Sequence, residues 1–284
     1  MKTKLLGLLA GVISIGAVGA ASAADMAVKA APPPPPPLPS WTGFYIGGDI
    51  GGAWADSSGT AIFTDPLSPG LSPVVTNGSF NRSGFIGGFY AGYNWQFSPN
   101  WVFGIEGDWS WTDRNGGSFC GITSGGAAGC IDNTFGFVRV DAHNDWIATL
   151  RGRLGYTWGS VMLYGTGGAA WVNNSATVTA DCRLGGCGFS GIVAPGIFAA
   201  TFDNTRTGWV AGLGLEWMIT PNWLIRGEWL HVDVGNSSGV LVLPTTTVGT
   251  TQTVAWNRDL TIDIARFGIA YKFNWGQSPV VARY

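Results

Sequence analysis

The sequence predicts an all-β protein: an eight-stranded antiparallel up-and-down transmembrane β-barrel with four long outer loops and short periplasmic turns. Three observations carry this expectation. Eight stretches place an apolar residue at every second position, the tryptophans gather where those stretches begin and end, and the connections between stretches alternate long and short. A period of two is the signature of a strand, because successive side chains point to opposite faces.

The first stretch, 41–55, follows a proline-rich segment and opens with Trp41. In 84–97 one face carries Phe85, Phe89, Tyr93, Trp95 and Phe97, with Ile86, Tyr90, Asn94 and Gln96 between them. Stretch 101–112 sets Trp101, Phe103, Ile105, Trp109 and Trp111 against Glu106, Asp108 and Ser110. Stretch 146–158 sets Trp146, Leu150, Leu154 and Trp158 against Arg151 and Arg153, and 161–173 follows it with a looser alternation. Stretch 207–219 sets Trp209, Leu213, Leu215 and Trp217 against Glu216, and 223–234 sets Trp223, Ile225 and Trp229 against Arg226 and Glu228. The last, 261–273, sets Phe267, Ile269, Tyr271 and Phe273 against Arg266 and Lys272. Short connections fall at Ser98-Pro99-Asn100, Gly159-Ser160 and Thr220-Pro221-Asn222, and long ones at about 57–82, 114–145, 174–206 and 235–259. This parity puts both termini in the periplasm and the long loops at the cell surface. The Ser98-Pro99-Asn100-Trp101 segment recurs as Thr220-Pro221-Asn222-Trp223, through hairpin duplication or shared turn chemistry.

A water-soluble barrel would keep its apolar face inside and its charges in water; a membrane barrel inverts this. The tryptophans decide between them. Trp41, Trp95, Trp101, Trp158, Trp217 and Trp223 fall at the ends beside the short turns, and Trp109, Trp111, Trp146 and Trp209 fall toward the other ends. Indole settles at headgroup level, so two rings of it mark two membrane interfaces. Ten steps of about 3.3 Å from Trp101 to Trp111, tilted near 45°, span roughly 23 Å, close to the apolar band of such barrels.

Lys2 and Lys4, the apolar run from Leu5 to Ala20, and Ala21-Ser22-Ala23 read as a signal peptide over 1–23, cleaved after Ala23 or Ala24. With no cysteine before Cys120, a lipid-anchored N-terminus is not expected. Residues 24–40 form a linker with six consecutive prolines, an extended polyproline II spacer or a docking peptide. Residues 41–284 read as one barrel domain. Charged residues make up only 11% of the chain and the net charge is -2, so no basic cluster is present to neutralise nucleic-acid phosphates.

The inward face collects Asp49, Glu106, Asp108, Glu216 and Glu228 against Arg151, Arg153, Arg226, Arg266 and Lys272. Pairing offsets the cost of burying charge, and an eight-stranded barrel is just wide enough inside for side chains, so these groups are expected to plug the lumen rather than line a pore. Inward glycines, among them Gly88, Gly92, Gly212 and Gly214, leave room for water or small ions on this reading. Cys120 with Cys130, and Cys182 with Cys187, fall in two outer loops and read as local disulfides; the rival metal site lacks a nearby histidine. For catalysis the one candidate pair is His231 with Asp233, and for haem ligation His143 or His231; neither is preferred, so no enzyme and no cofactor is expected.

Four segments together resemble a known family. They are Trp41-Thr42-Gly43-Phe44-Tyr45-Ile46-Gly47-Gly48 after the proline-rich linker, Gly87 to Trp95, Gly104-Ile105-Glu106-Gly107-Asp108, and the tail from Tyr271 to Trp275 with Pro279 to Tyr284. They resemble the small outer-membrane β-barrel proteins of alphaproteobacteria, often labelled porin family or surface antigens and similar to the OmpA-type transmembrane domain. The resemblance implies a barrel at the cell surface that maintains envelope integrity and contacts host or extracellular ligands. It also implies insertion by the barrel-assembly machinery and, for some members, haemin binding. A narrow diffusion channel is the alternative role. The cysteine-bearing loops depart from the better-known members.

Overall fold

The computed structural model describes residues 40–64, 66, 73–114, 118–121, 137–181, 197–243 and 251–273. The strands in chain order are β1 (Gly43–Thr64), β2 (Val74–Ser98), β3 (Trp101–Arg114), β4 (Ser118–Gly121), β5 (Phe137–Trp158), β6 (Val161–Asp181), β7 (Ile197–Thr220), β8 (Trp223–Leu243) and β9 (Gln252–Phe273). Each pairs antiparallel with its neighbour, β9 returns to β1, and β3 pairs with β5. Eight strands therefore close on themselves, while the short β4 lies along the upper part of β5. Closure leaves no open edge in the hydrocarbon, where an unpaired amide would cost several kcal/mol.

The faces are the ones the alternation requires for a bilayer. Phe85, Phe89, Leu150, Leu213, Leu215, Phe267 and Ile269 are exposed on the outside, while Glu106, Arg151, Arg226 and Glu228 are buried within. Trp95, Trp101, Trp158, Trp217 and Trp223 ring the wall beside the short turns, and Trp111 and Trp209 stand exposed near the other interface, where Trp109 stacks on Trp146 at 4.4 Å. Trp41 departs from this pattern. It is 0% exposed, turned into the lumen base, and its Nε1 donates to the Gly159 carbonyl at 3.1 Å. Because it precedes β1 rather than belonging to it, strand alternation does not set its direction.

The strands run well beyond their expected ends. Much of what reads as outer loop is ladder: β1 continues to Thr64, β2 begins at Val74, and β7 begins at Ile197. At about 3.3 Å per residue and a tilt near 45°, the 25 residues of β2 reach roughly 58 Å, more than twice the apolar band. In this part many outward positions are polar, although Ile62, Val75, Ile197, Val240 and Val242 near the strand tips are apolar and exposed. Thr60 Oγ1 donates to Asn77 Oδ1 at 2.9 Å, and the hydroxyls of Thr177 and Thr201 pair at 3.2 Å. Hydroxyl and amide side chains keep the outward face wettable, so the period of two continues without its apolar signal.

Two of the short turns explain their shared sequence. Asn100 Nδ2 donates to the Thr157 carbonyl and Asn222 Nδ2 to the Lys272 carbonyl, both at 2.9 Å. In each, the same asparagine's carbonyl accepts the neighbouring strand's amide, from Thr157 at 2.8 Å and from Lys272 at 2.7 Å. Each asparagine thus clips its turn to the next strand.

Cys120 lies in β4 opposite Arg139. The other members of the expected disulfides, Cys130, Cys182 and Cys187, lie outside the described residues, as do the signal and linker segments before Ser40.

Candidate functional site

Strand register builds the lumen site before any side chain bends. Glu106 of β3 sits directly opposite Arg151 of β5, Glu216 of β7 opposite Arg226 of β8, and Glu228 of β8 opposite Arg266 of β9. Opposite charges face each other across three ladders, an arrangement that a slip of one residue would turn into the lipid.

The side chains then reach beyond those neighbours. Arg151 donates to Glu228 at 2.9 Å, to Glu106 at 2.6 Å and to Asp108 at 3.0 Å. Arg153 binds Asn94 through Nε at 2.9 Å and Glu216 at 3.1 Å. Arg226 crosses the lumen to Glu106 at 2.6 Å, and Arg266 holds Glu228 at 2.7 Å and Asp49 at 3.1 Å. Thr149 donates to Asp108. Nine of the ten expected network residues come together; Lys272 does not. It lies a layer lower, and its ammonium donates to the Ser40 carbonyl where the chain enters the barrel.

Three tyrosines that sequence reasoning passed over complete the layer. Tyr45 faces Gly92 across the β1/β2 ladder, Tyr90 faces Gly47 there, and Tyr164 faces Gly214 across β6/β7. A Cβ at Gly92 would stand 2.3 Å from the Tyr45 hydroxyl, and one at Gly214 would stand 2.3 Å from Cζ of Tyr164. The rings lie flat where those glycines have no side chain. Arginines cover them from the other side: Arg153 is 4.8 Å from the Tyr45 ring centre and 4.9 Å from that of Tyr164, and Arg226 is 3.4 Å from that of Tyr90. The Tyr45 hydroxyl donates to Glu106 at 2.8 Å and that of Tyr164 to Glu228 at 3.0 Å.

The expected space beside Gly92 and Gly214 is therefore occupied by rings. At Gly88 and Gly212 a Cβ would meet a neighbouring backbone oxygen, Trp109 O or Trp229 O, each at 2.3 Å. The signal was present in the sequence as tyrosine and glycine at inward parity, but pairing them requires the register. Gly92→Ala is expected to destabilise the barrel by about 1–3 kcal/mol through overpacking, read as a lower urea midpoint in vesicles.

Apolar layers stand on both sides of the charges. Below are Trp41, Val102, Met162, Met218 and Leu224; above, near the outer tryptophans, are Ile86, Ile147, Val172, Val210, Leu230, Val232, Leu260 and Ile262, all buried. The upper layer is an inward apolar patch on strands whose inward positions otherwise carry charge.

The remaining candidates separate. His231 Nδ1 lies 2.9 Å from Asp263, not Asp233, whose carboxylate instead accepts the Gly235 amide at 2.7 Å. Its outward position puts the imidazole on the wall between Trp209 and Trp229, with ring centres at 5.6 Å and 6.3 Å. Parity explains the correction: residues 231 and 263 are cross-strand neighbours, while 231 and 233 are spaced along one strand. His143 lies in β5 opposite Ser175, and its side chain is outside the described residues. Among the described residues no cluster of three or more His, Cys, Asp or Glu could hold a metal ion.

A closed antiparallel ring with lipid-facing rings of indole and an ion-paired interior matches what comparison with known proteins finds. A family model described as "Outer membrane protein beta-barrel domain" matches residues 12–273. The chain belongs to that family. Within it, the chain is similar to the "31 kDa outer-membrane immunogenic protein" of Brucella melitensis biotype 1, with 34% identity over 200 residues, covering 69% of this chain and 72% of the relative. It is also similar to the "22 kDa outer membrane protein" of Rhizobium leguminosarum bv. viciae, with 29% identity over 196 residues, covering 68% of this chain and 64% of that one. Among solved structures, Neisserial surface protein A aligns at a TM-score of 0.36 and 14% identity, covering 82% of this chain and 98% of that one. OprG from Pseudomonas aeruginosa aligns at a TM-score of 0.40 and 13% identity, covering 82% and 97%. The chain is an integral outer-membrane β-barrel protein, and the relatives' names are those of outer-membrane proteins rather than enzymes.

Proposed function

We propose that this barrel is sealed and non-catalytic, a structural element of the outer membrane whose work is done by the part that stands above the bilayer. The observation that carries the reading is the stacking inside the lumen, where an ion-paired layer lies between two buried apolar layers. An ion crossing it would have to separate Arg226 from Glu106 and then pass a ring of aliphatic side chains without its hydration shell. Of the other roles, catalysis by His231 is disfavoured because its partner is Asp263 on the outer wall and Asp233 is turned to the Gly235 amide.

On this reading the chain is exported by residues 1–23, is inserted by the barrel-assembly machinery through the aromatic-rich β9, and presents its extended strands to host or extracellular ligands. The immunogenic relative named above fits a protein with substantial surface outside the membrane. Planar-bilayer recording on the refolded protein tests the proposal. No unitary conductance is expected; reproducible steps whose size changes in Arg151→Ala would replace it with the channel reading.

A further inference from the structure

Where β2, β1, β9 and β8 rise beyond the membrane, their outer face carries a hollow of about 420 Å³ lined by short polar side chains and Gly59. The lining has outward parity: Ser58 and Asp259 are exposed, while Ser57 and Leu260 beside them are buried. Register lays the side chains out in two rows. Ser79, Ser58, Asp259 and Asn236 face one another across the four strands in the first, and Asn77, Thr60 and Asn257 do so in the second. At about 4.8 Å between strands and 3.3 Å per residue, the longer row spans roughly 14 Å and the rows stand roughly 7 Å apart. Ser58 lies four residues beyond Trp54, the exposed tryptophan of β1, so at a tilt near 45° the hollow begins roughly 9 Å above it. A third row borders it from above. Val75, Ile62, Ala255 and Val240 pair across the same strands, and Val75, Ile62 and Val240 are exposed.

The fourth strand reaches this hollow only through an irregularity. Leu230, Val232 and Val234 of β8 are buried at even positions, yet Asn236 and Val240 are exposed at even positions, because the β8/β9 register shifts between Asp233 and Asn236. Gly235 makes the shift with a φ of 62°, and a bulge of this kind re-aims the side chains beyond it. It is held from both sides: its amide donates to Asp233 Oδ1 at 2.7 Å, and its carbonyl accepts from Nη2 of the buried Arg206 at 2.9 Å. On the opposite flank, the Thr60 hydroxyl engages the Asn77 amide through its oxygen and leaves the NH2 group to donate elsewhere. None of the lining residues is lysine, arginine, glutamate or glutamine, the long side chains that would merely keep a wall wet. Short side chains leave the space open and lose little rotamer freedom when a ligand fixes them.

We propose that this hollow is a saccharide site, taking a short neutral oligosaccharide laid across β2, β1, β9 and β8. A sugar carries hydroxyls on its rim and C–H groups on its faces. Serine and threonine hydroxyls and asparagine amides both donate and accept, and the ionised Asp259 carboxylate accepts, so the two polar rows answer both roles of a sugar hydroxyl. The aliphatic row above them gives the C–H faces a surface to pack on. With one carboxylate and no base in the lining, a phosphate- or sulfate-bearing group is repelled rather than selected. The inference rests on the reading that ligands are met by the part above the bilayer, and it names their class. Because the hollow opens sideways from the wall, sugars of a neighbouring glycolipid in the outer leaflet and sugars arriving from outside can both reach it.

The test applies the full chain, refolded in a neutral detergent, to an array of short neutral oligosaccharides and to the core oligosaccharide released by mild acid from an alphaproteobacterial lipopolysaccharide. Saturable binding is expected, weakened by about tenfold in Asn257→Ala and separately in Asn77→Ala, since each removes hydrogen bonds to the sugar. Thr201→Ala, on the β6/β7 wall, is expected to bind as the parent does. All three variants must keep the heat-modifiable gel mobility of the parent. If only the core oligosaccharide binds with this dependence, the site stands and the surrounding glycolipid is its source; if only array sugars do, the source is extracellular. No saturable binding of any probe, binding unchanged in folded Asn257→Ala and Asn77→Ala, or equal weakening in Thr201→Ala overturns the proposal. Conductance is untouched by every one of these outcomes, so failure of this site and failure of the sealed lumen are told apart.

Discussion

Glu106→Ala is expected to lower the stability of the folded barrel by about 3–5 kcal/mol, the range found when one member of a buried charge network is removed and its partners remain. Glu106 accepts from Arg151 and Arg226 at 2.6 Å each, from Tyr45 at 2.8 Å and from Arg153 at 3.3 Å. Truncating it leaves three guanidiniums sharing the remaining carboxylates in a lumen that excludes bulk water. The measurement is the urea midpoint of the refolded protein in lipid vesicles, with unheated gel mobility as the check on folding. Glu106→Gln keeps the shape and the acceptor oxygen but loses the charge, and a smaller loss is expected. Equal midpoints for the parent and Glu106→Ala would mean that the ion pairs contribute no net stability and that the apolar layers alone hold the lumen shut.

Leu213→Arg is expected to cost about 2–4 kcal/mol if the position lies near the bilayer midplane, and less toward either interface. Leu213 is 61% exposed on β7, opposite Trp229 of β8 and Gly165 of β6. In water such an exposed position would tolerate arginine with little change. The same substitution therefore reads the solvent outside the wall. A large loss of folded fraction in thick-bilayer vesicles, with a smaller loss in detergent micelles, is the expected pair of results. Full folding of Leu213→Arg in vesicles would show that this wall does not face acyl chains.

The parts legible in the sequence are those fixed by a period of two. Phe85, Phe89, Leu213 and Phe267 on one side, and Glu106, Arg151 and Glu228 on the other, follow from parity alone, because reversing any of them puts a charge into hydrocarbon. Parity does not reveal which strand lies across the lumen. The approach of Arg226 to Glu106, and the fit of Tyr45 over Gly92, depend on register and barrel shear, to which residues far apart in the chain contribute. Parity also cannot show where a strand stops once its outward residues turn polar, as at Thr60, Asn77 and Thr177, so β-ladder above the membrane reads as loop. The partner of His231 escapes parity for a related reason: its neighbour along the chain is Asp233, but its neighbour in the sheet is Asp263. Trp41 lies outside the first strand, where alternation has no authority.

That tryptophan also fixes how force enters the molecule. The chain arrives at Ser40 and Trp41 under three separate fastenings: the Trp41 amide to the Gln96 side chain at 3.0 Å, its indole to the Gly159 carbonyl at 3.1 Å, and the Ser40 carbonyl to Lys272. These anchor to β2, to the β5/β6 turn and to β9. A pull on the polypeptide ahead of Ser40 is thus shared around the base of the wall instead of concentrating on the β1/β9 seam, where the first and last strands meet and a zipper would otherwise begin to open.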